Sequence, residues 1–357
     1  MADTLLNNLI PEFKEAVLGA RLEANPLSDL KYRNYFPTQF NTDLTFGNLE
    51  GESGAKVIAP IVALDSDVVL KGRDNAQAIK GEIPKVEVGR LKTERDFFRL
   101  NALRNAVQLN PNNQQVRNQL YNWIYDDAGF VVDSVNATME VMAKQLLSNG
   151  FYTAANGLKI DFGVTVQNAI ADWFLPANAA TFDPIKEFMA VQKVALAKGY
   201  RYLRAVMDLA TFNQFAASEK VIKFTASFAQ NALGLAQTPT VAQVNTALQA
   251  QNLPIIEIWE SYVNDEGQDG SLTAKSGWEL GNIHLSGTAD FGTTQYTISP
   301  EASVDLNETS KITTNEFILV STIGKAAPMQ VLTKGTAFAT PVLNSVGKRL
   351  ILKTKLA

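Results

Sequence analysis

Cysteine is absent from all 357 residues, which removes disulfides, iron–sulfur clusters, thiol nucleophiles and cysteine-ligated zinc together. Histidine occurs once, at His284, so a paired-histidine metal site cannot form within one copy. These are the most versatile catalytic side chains, and their scarcity argues against enzyme chemistry. No apolar run reaches the roughly 18 residues of a membrane span. Met1-Ala2-Asp3-Thr4 lacks the basic start and apolar core of a signal peptide, so synthesis and folding in a cytoplasm are expected. A basic excess is missing too. The chain has 32 lysines and arginines against 36 aspartates and glutamates, a net charge of -4, whereas a protein that grips phosphates carries the opposite balance.

What is present describes a soluble globular chain. Hydrophobic residues make up 46% and mean hydropathy is -0.05, enough for one large core or two modest ones. Residues 4–24 read as a short amphipathic helix with Leu5, Leu6, Ile10, Phe13, Val17 and Leu18 on one side, interrupted by Pro11. So small a helix needs something to dock on, such as a neighbouring subunit. Residues 40–92 change to a strand pattern: Lys56–Leu64, Val68–Leu70 and Lys85–Val88, with a polar turn at Gly72–Gln77. This predicts a long two-stranded excursion with little core of its own, marginal in water unless neighbours cover it.

Helices follow. One is predicted over Thr93–Leu109, with Thr93 and Asp96 placed for N-terminal capping and Pro111 as its stop. A second runs from Asn112 to Asn149 with an apolar face from Val116 to Leu146, stopped by Gly150 and open to a kink at Gly129. At 1.5 Å per residue it would reach on the order of 50 Å and act as a spine. Beyond it, Phe151–Val166 reads as a hairpin turning at Asn156-Gly157. Asp183-Pro184 opens a helix to about Lys198. Further helices are predicted at Asp208–Ala217 and Thr240–Gln251. Strands are predicted at Tyr202–Met207, Pro254–Tyr262, Phe317–Ile323 and Lys348–Lys353, with a turn at Asn264–Gly270. The fold class is α+β.

Chemical motifs are weak. Gly51–Lys56 and Gly347–Arg349 both lack the spacing of a phosphate loop. The acidic turn Asn264–Gly270 has oxygen ligands for calcium, but the twelfth position counted from Asp265 is Ser276, not a carboxylate. A solvated turn is the plainer reading. Asp126 and Asp127 suit a helical face or an inter-subunit salt bridge, and His284 a packing or surface position in a strand. Lys71, Arg73, Lys80, Lys85, Arg90, Lys92, Arg95 and Arg99 form a basic band on the excursion and the helix after it. They are candidates for contacts with acidic surfaces of adjacent subunits. The plainer alternative is that they discourage edge-to-edge aggregation of strands.

The order of elements resembles the major capsid protein E family of lambda-like tailed phages, which has the Hong Kong 97-type capsid fold. The likeness is carried by Asn25-Pro26-Leu27, Tyr35-Phe36-Pro37, Val57–Val62, Pro84–Val88 and Asp161-Phe162-Gly163. It continues through Trp173 with Asp183-Pro184, Tyr262-Val263-Asn264 and Phe317–Val320. The resemblance implies an N-terminal arm (1–37), an extended β-hairpin loop (38–92), a peripheral domain with the spine helix (93–217), an axial domain (218–325) and a C-terminal return to the periphery (326–357). It further implies a major capsid protein that self-assembles into pentamers and hexamers of an icosahedral head. Double-stranded DNA would lie inside without sequence-specific contact, a portal at one vertex, and decoration proteins outside. Because the chain starts directly with its arm, a separate scaffolding protein is expected. The expected location is the virion, after assembly in the host cytoplasm, with no cofactor, no metal, no membrane and no enzymatic activity. Three rivals remain: an encapsulin-type compartment, a carboxylate-dependent hydrolase using Asp265, Glu266 and Asp269, and a tail-tube protein.

Overall fold

The computed structural model describes residues 6, 9–23, 30–51, 76–153, 157, 159–178, 181–228, 238–267, 269–304 and 309–356. The predicted strands at 56–64 and 68–70, the turn at 72–77 up to Asn75, and Asn156 lie outside them.

The N-terminal segment gives helix α1 (Glu15–Glu23), the single turn α2 (Tyr32–Tyr35) and strand β1 (Thr38–Phe40). Chain direction breaks at Pro11, as a residue without an N–H dictates. The apolar face of this segment does not wait for a neighbour. Leu6, Ile10, Phe13, Leu18 and Leu22 are buried in the same core as the spine helix. Tyr125 on the spine accepts a hydrogen bond from the Lys14 amide at 2.9 Å, and Arg104 clasps Glu12 with two bonds of 2.6 and 2.7 Å. The docking partner is the chain's own spine.

Among the described residues, strands β2 (Thr45–Gly51) and β3 (Ala76–Glu82) pair only with each other, while β4 (Lys85–Lys92) leaves them. The predicted excursion is therefore shorter at its base than 38–92. Its last strand is an integral member of a six-stranded sheet. Helix α3 (Glu94–Leu109) starts with Asp96 accepting both the backbone N–H and the hydroxyl of Thr93, at 2.9 and 3.0 Å. A turn at Pro111 separates it from the spine helix α4 (Gln114–Asn149), which Gly150 ends at φ +79°. Its 36 residues correspond to about 54 Å, and the helix runs unbroken through Gly129.

The predicted hairpin at 151–166 resolves into two parts. Strands β5 (Phe151–Thr153) and β6 (Lys159–Asp161) pair with each other, but β7 (Thr165–Asn168) crosses to another sheet. Gly163 at φ +67°, whose N–H meets Asp161 Oδ1 at 2.9 Å, makes the turn between them. Helix α5 (Pro184–Ala197) is capped by Asp183, which accepts the Lys186 amide at 3.0 Å. Strand β8 (Arg204–Met207) and helices α6 (Leu209–Ala217), α7 (Glu219–Phe228) and α8 (Val241–Ala250) lead to strand β9 (Ile255–Ile258). Helix α7 was not foreseen. Where a turn was expected at 264–270, strand β10 (Val263–Glu266) already occupies the first half and pairs with β11 (Leu272–Lys275). Strands β12 (Asn282–Ser286), β13 (Gly292–Thr297), β14 (Thr309–Thr314), β15 (Ile318–Lys325), β16 (Gln330–Leu343) and β17 (Arg349–Lys353) complete the chain.

Two sheets organise two cores. The larger sheet has the order β1-β13-β16-β15-β14, with β4 also paired to β16. Strand β16 is long enough to hold β4 along Val331–Phe338 and β13 along Phe338–Leu343 on one edge, and β15 on the other. The spine packs Val131, Val135 and Met139 with Ala337, Ala339, Val342 and Val320 of this sheet in one core. Each fully buried aliphatic side chain there contributes about 1.5–3 kcal/mol. The second sheet, β7-β17-β12-β8-β9, carries the second core, with Trp173, Phe188, Phe212, Phe215, Leu248 and Ile256 among its members. Segments 169–217 and 218–258 thus share one core, while 93–149 and 309–343 share the other.

Sheet and spine approach closely at Gly335, where a Cβ would stand 3.0 Å from Val131 Cβ and 3.1 Å from the Val131 carbonyl oxygen. Gly335→Val should therefore cost roughly 1–3 kcal/mol by overpacking. It is measured as a lowered midpoint in thermal or urea unfolding, and an unchanged midpoint would contradict this contact.

Candidate assembly surfaces and the junction between the cores

The basic band foreseen in the sequence is split by the fold. Lys71 and Arg73 lie outside the described residues, and Lys80 sits in β3 opposite Gly47. Lys85 is exposed and pairs with Glu87 at 2.8 Å, with Glu301 beyond at 3.9 Å. Arg90 lies flat over the Phe130 ring at 3.4 Å, a cation–π arrangement. Lys92 turns inward: it is 8% exposed, ion-paired with Asp127 and 4.9 Å above the Trp123 ring. Arg95 and Arg99 on α3 are exposed and form no ion pair among the described residues. Asp126 pairs with Arg21 at 2.8 Å, so Asp126 and Asp127 are both engaged within the chain.

The most ordered polar constellation was not anticipated. Asn136, Glu140, Lys144 and Ser148 recur every four residues along α4, and each is fully buried. Four-residue spacing places them in one row on the helix, facing the seam between the cores. Glu140 Oε2 accepts the backbone amides of Lys31 and Tyr32 at 3.0 and 2.8 Å. Its Oε1 accepts the Trp259 indole N–H at 2.5 Å and the Ser261 hydroxyl at 2.6 Å. Asn136 accepts the Tyr32 hydroxyl at 2.7 Å, and Lys144 donates to the Ser261 carbonyl at 2.6 Å. Burial pulls the Lys144 ammonium down to about 8, against the opposing pull of the Glu140 and Glu260 carboxylates. At the end of the row, Asn282 donates to the Ser148 carbonyl at 2.8 Å. The four-residue repeat of polar residues inside an apolar face was the signal available beforehand.

His284 in β12 belongs to the same seam. It is fully buried, and its Nδ1 meets the Leu147 carbonyl at 2.8 Å, which fixes Nδ1 as the protonated nitrogen. Nε2 then faces the Arg349 guanidinium at 3.4 Å. Burial, followed by the Arg349 charge, pushes the imidazole down to about 3. Arg349 is itself buried and donates to the carbonyls of Asn344, Asp290 and Phe291 at 2.6, 2.9 and 2.5 Å. Arg204 grips Glu257 with two bonds of 2.6 and 2.5 Å, and Tyr35 stacks on Trp259 at 4.4 Å. The seam holds the two bodies and the N-terminal segment together.

A spine helix laid across one sheet, a second α+β body on a mixed sheet, and a ribbon leaving the base of the first define a shell subunit of the Hong Kong 97-type capsid fold. The chain belongs to the phage major capsid protein E family, whose profile matches residues 24–336. Membership makes it a structural subunit of the virion shell. Solved structures share the fold at low identity. A phage-related protein from Bordetella bronchiseptica RB50 is 11% identical, covering 95% of this chain and 97% of its own, with a TM-score of 0.53. A prophage protein from E. coli CFT073 is 12% identical, with coverages of 96% and 99% and a TM-score of 0.53. The cyanophage A-1(L) capsid subunit is 8% identical, with coverages of 93% and 94% and a TM-score of 0.50. No curated protein matches the chain.

Glu140→Ala should cost about 3–5 kcal/mol, because four donors lose their acceptor in a dry site and the Lys144 ammonium loses a neighbouring carboxylate. Urea unfolding reads this directly, with Glu140→Gln falling between the variant and the parent. A second expectation concerns acid. The unfolded chain takes up a proton at His284 near pH 6.5, whereas the folded chain refuses it until about pH 3. Stability from this group is complete above 6.5 and declines as pH falls, by at most about 1.4 kcal/mol per pH unit. With no other histidine, His284→Gln should flatten the slope between pH 6.5 and 5. A slope that persists in the variant assigns it to other groups.

Proposed function

We propose that this chain tiles an icosahedral phage head, grouped in pentamers and hexamers around double-stranded DNA, without catalytic chemistry. The observation that carries this reading is the family match over residues 24–336. The ribbon β2–β3, which pairs with no other strand among the described residues, supports it. A two-stranded ribbon is marginal by itself, so sister copies supply the missing layer. Large obligate interfaces of this kind commonly exceed about 2,000 Å², and repetition around each ring multiplies modest contacts.

The assembly takes place in the host cytoplasm, with scaffolding and portal proteins as partners and decoration proteins on the outer face. The net charge of -4 keeps the lumen from binding packaged DNA tightly. The body built on the second core takes the axial position, the spine and larger sheet the peripheral one. Lys85, Arg90 and Arg95, with Lys71, Arg73 and Lys80 on the loop, meet acidic surfaces of neighbours. Lys92 supports them from within through Asp127.

The purified chain, expressed alone and with a scaffolding protein, is expected to form closed isometric shells in negative-stain microscopy. Tubes, or a monomer that persists at high concentration, would sink the reading.

A further inference from the structure

Strands β10 and β11 form a ribbon that joins neither large sheet: Val263–Glu266 pairs only with Leu272–Lys275. Seven of these eight residues are exposed. Leu272 and Tyr262, 66% and 64% exposed, remain uncovered beside it. The ribbon is acidic, with Asp265, Glu266 and Asp269 against Lys275, which pairs loosely with Asp265 at 3.8 Å. An apolar and acidic ribbon with no layer behind it is an incomplete surface.

A concave counterpart exists elsewhere on the chain. Between β4, α3 and α4 lies an open groove of about 730 Å³, lined among others by Arg90, Leu91, Arg99, Leu103 and Trp123. Its carboxylates are engaged: Asp126 by Arg21, Asp127 by Lys92, and Asp96 by the amide and hydroxyl of Thr93. Its arginines are not so compensated. Arg90 stacks on Phe130, and neither it nor Arg99 forms an ion pair among the described residues. Leu91 in its wall is 49% exposed. The uncompensated character of the groove is therefore cationic and apolar, the complement of the ribbon.

We propose that the β10–β11 ribbon of one copy docks in the groove between β4, α3 and α4 of a second copy. Opposite charge steers the two together, and Leu272 and Tyr262 gain cover from Leu91 and Leu103. The two surfaces differ, so the contact is head-to-tail, and repetition of a head-to-tail contact closes rings when the rotation permits. A phosphate-rich partner is disfavoured at the ribbon, where three carboxylates would repel it.

This contact rests on the shell reading above, and the test separates the two. Wild type, a ribbon variant (Asp265→Lys, Glu266→Lys and Asp269→Lys together), a groove variant (Arg90→Glu with Arg99→Glu) and the combined variant are compared by sedimentation and negative-stain microscopy. Circular dichroism and thermal unfolding verify that each is folded. The ribbon and groove variants should each yield at least tenfold fewer particles, and the combined variant, with both charges exchanged, should regain them. Normal assembly of either single-surface variant, or a combined variant that stays unassembled, would overturn the contact alone. A wild type that never oligomerises removes the shell reading and this contact with it.

Discussion

A carboxylate sealed from water needs each of its oxygens answered, and the way Glu140 is answered sets the rest of the molecule. One oxygen receives two backbone amides of the N-terminal strap, and the other receives Trp259 and Ser261 from the link between the cores. A placement of strap, spine or link that left this group unpaired would cost several kcal/mol. The strap brings Tyr35 and Phe36 into position beneath β13. The link brings Trp259 against Tyr35 and delivers the chain from the second core back to the first. The apolar contacts around it supply most of the stabilisation, but they are non-directional. The polar row supplies the register.

The sheet geometry follows from one strand. Strand β16 spans both halves of the larger sheet, so β4, β13 and β15 all align on it. Its alternation of buried residues lets the spine lie across one face, and Gly335 removes the side chain at the point of closest approach. The second body is closed by β17, whose neighbours are β7 and β12. The last strand of the chain thus completes a sheet that begins far upstream.

Long periodic signals were the easiest to read. The spine, its cap at Gly150, the helix opened by Asp183-Pro184 and the capped helix α3 appear where their residues place them, because local chemistry decides each one. Strand β16 was missed: Gln330–Leu343 mixes threonine, glycine and alanine, and its strand character comes from three partners rather than from its own propensity. Helix α7 escaped for a similar reason, being joined to α6 by the single residue Ser218. The basic band was visible as composition, but the inward turn of Lys92 depends on Asp127 and Trp123, which lie about three turns along another helix. The polar row on the spine was legible as spacing, yet its meaning required the strap and the link.

The joint between β4 and β16 has a mechanical side. Eight residue pairs, from Lys85 opposite Phe338 to Lys92 opposite Val331, tie the root of the long ribbon to the largest sheet. Tension along the ribbon loads these rungs in parallel, as shear, instead of opening them one after another like a zipper. A container swollen by its contents would pull on its subunits in this sense, and the root of the ribbon is built to carry such a load.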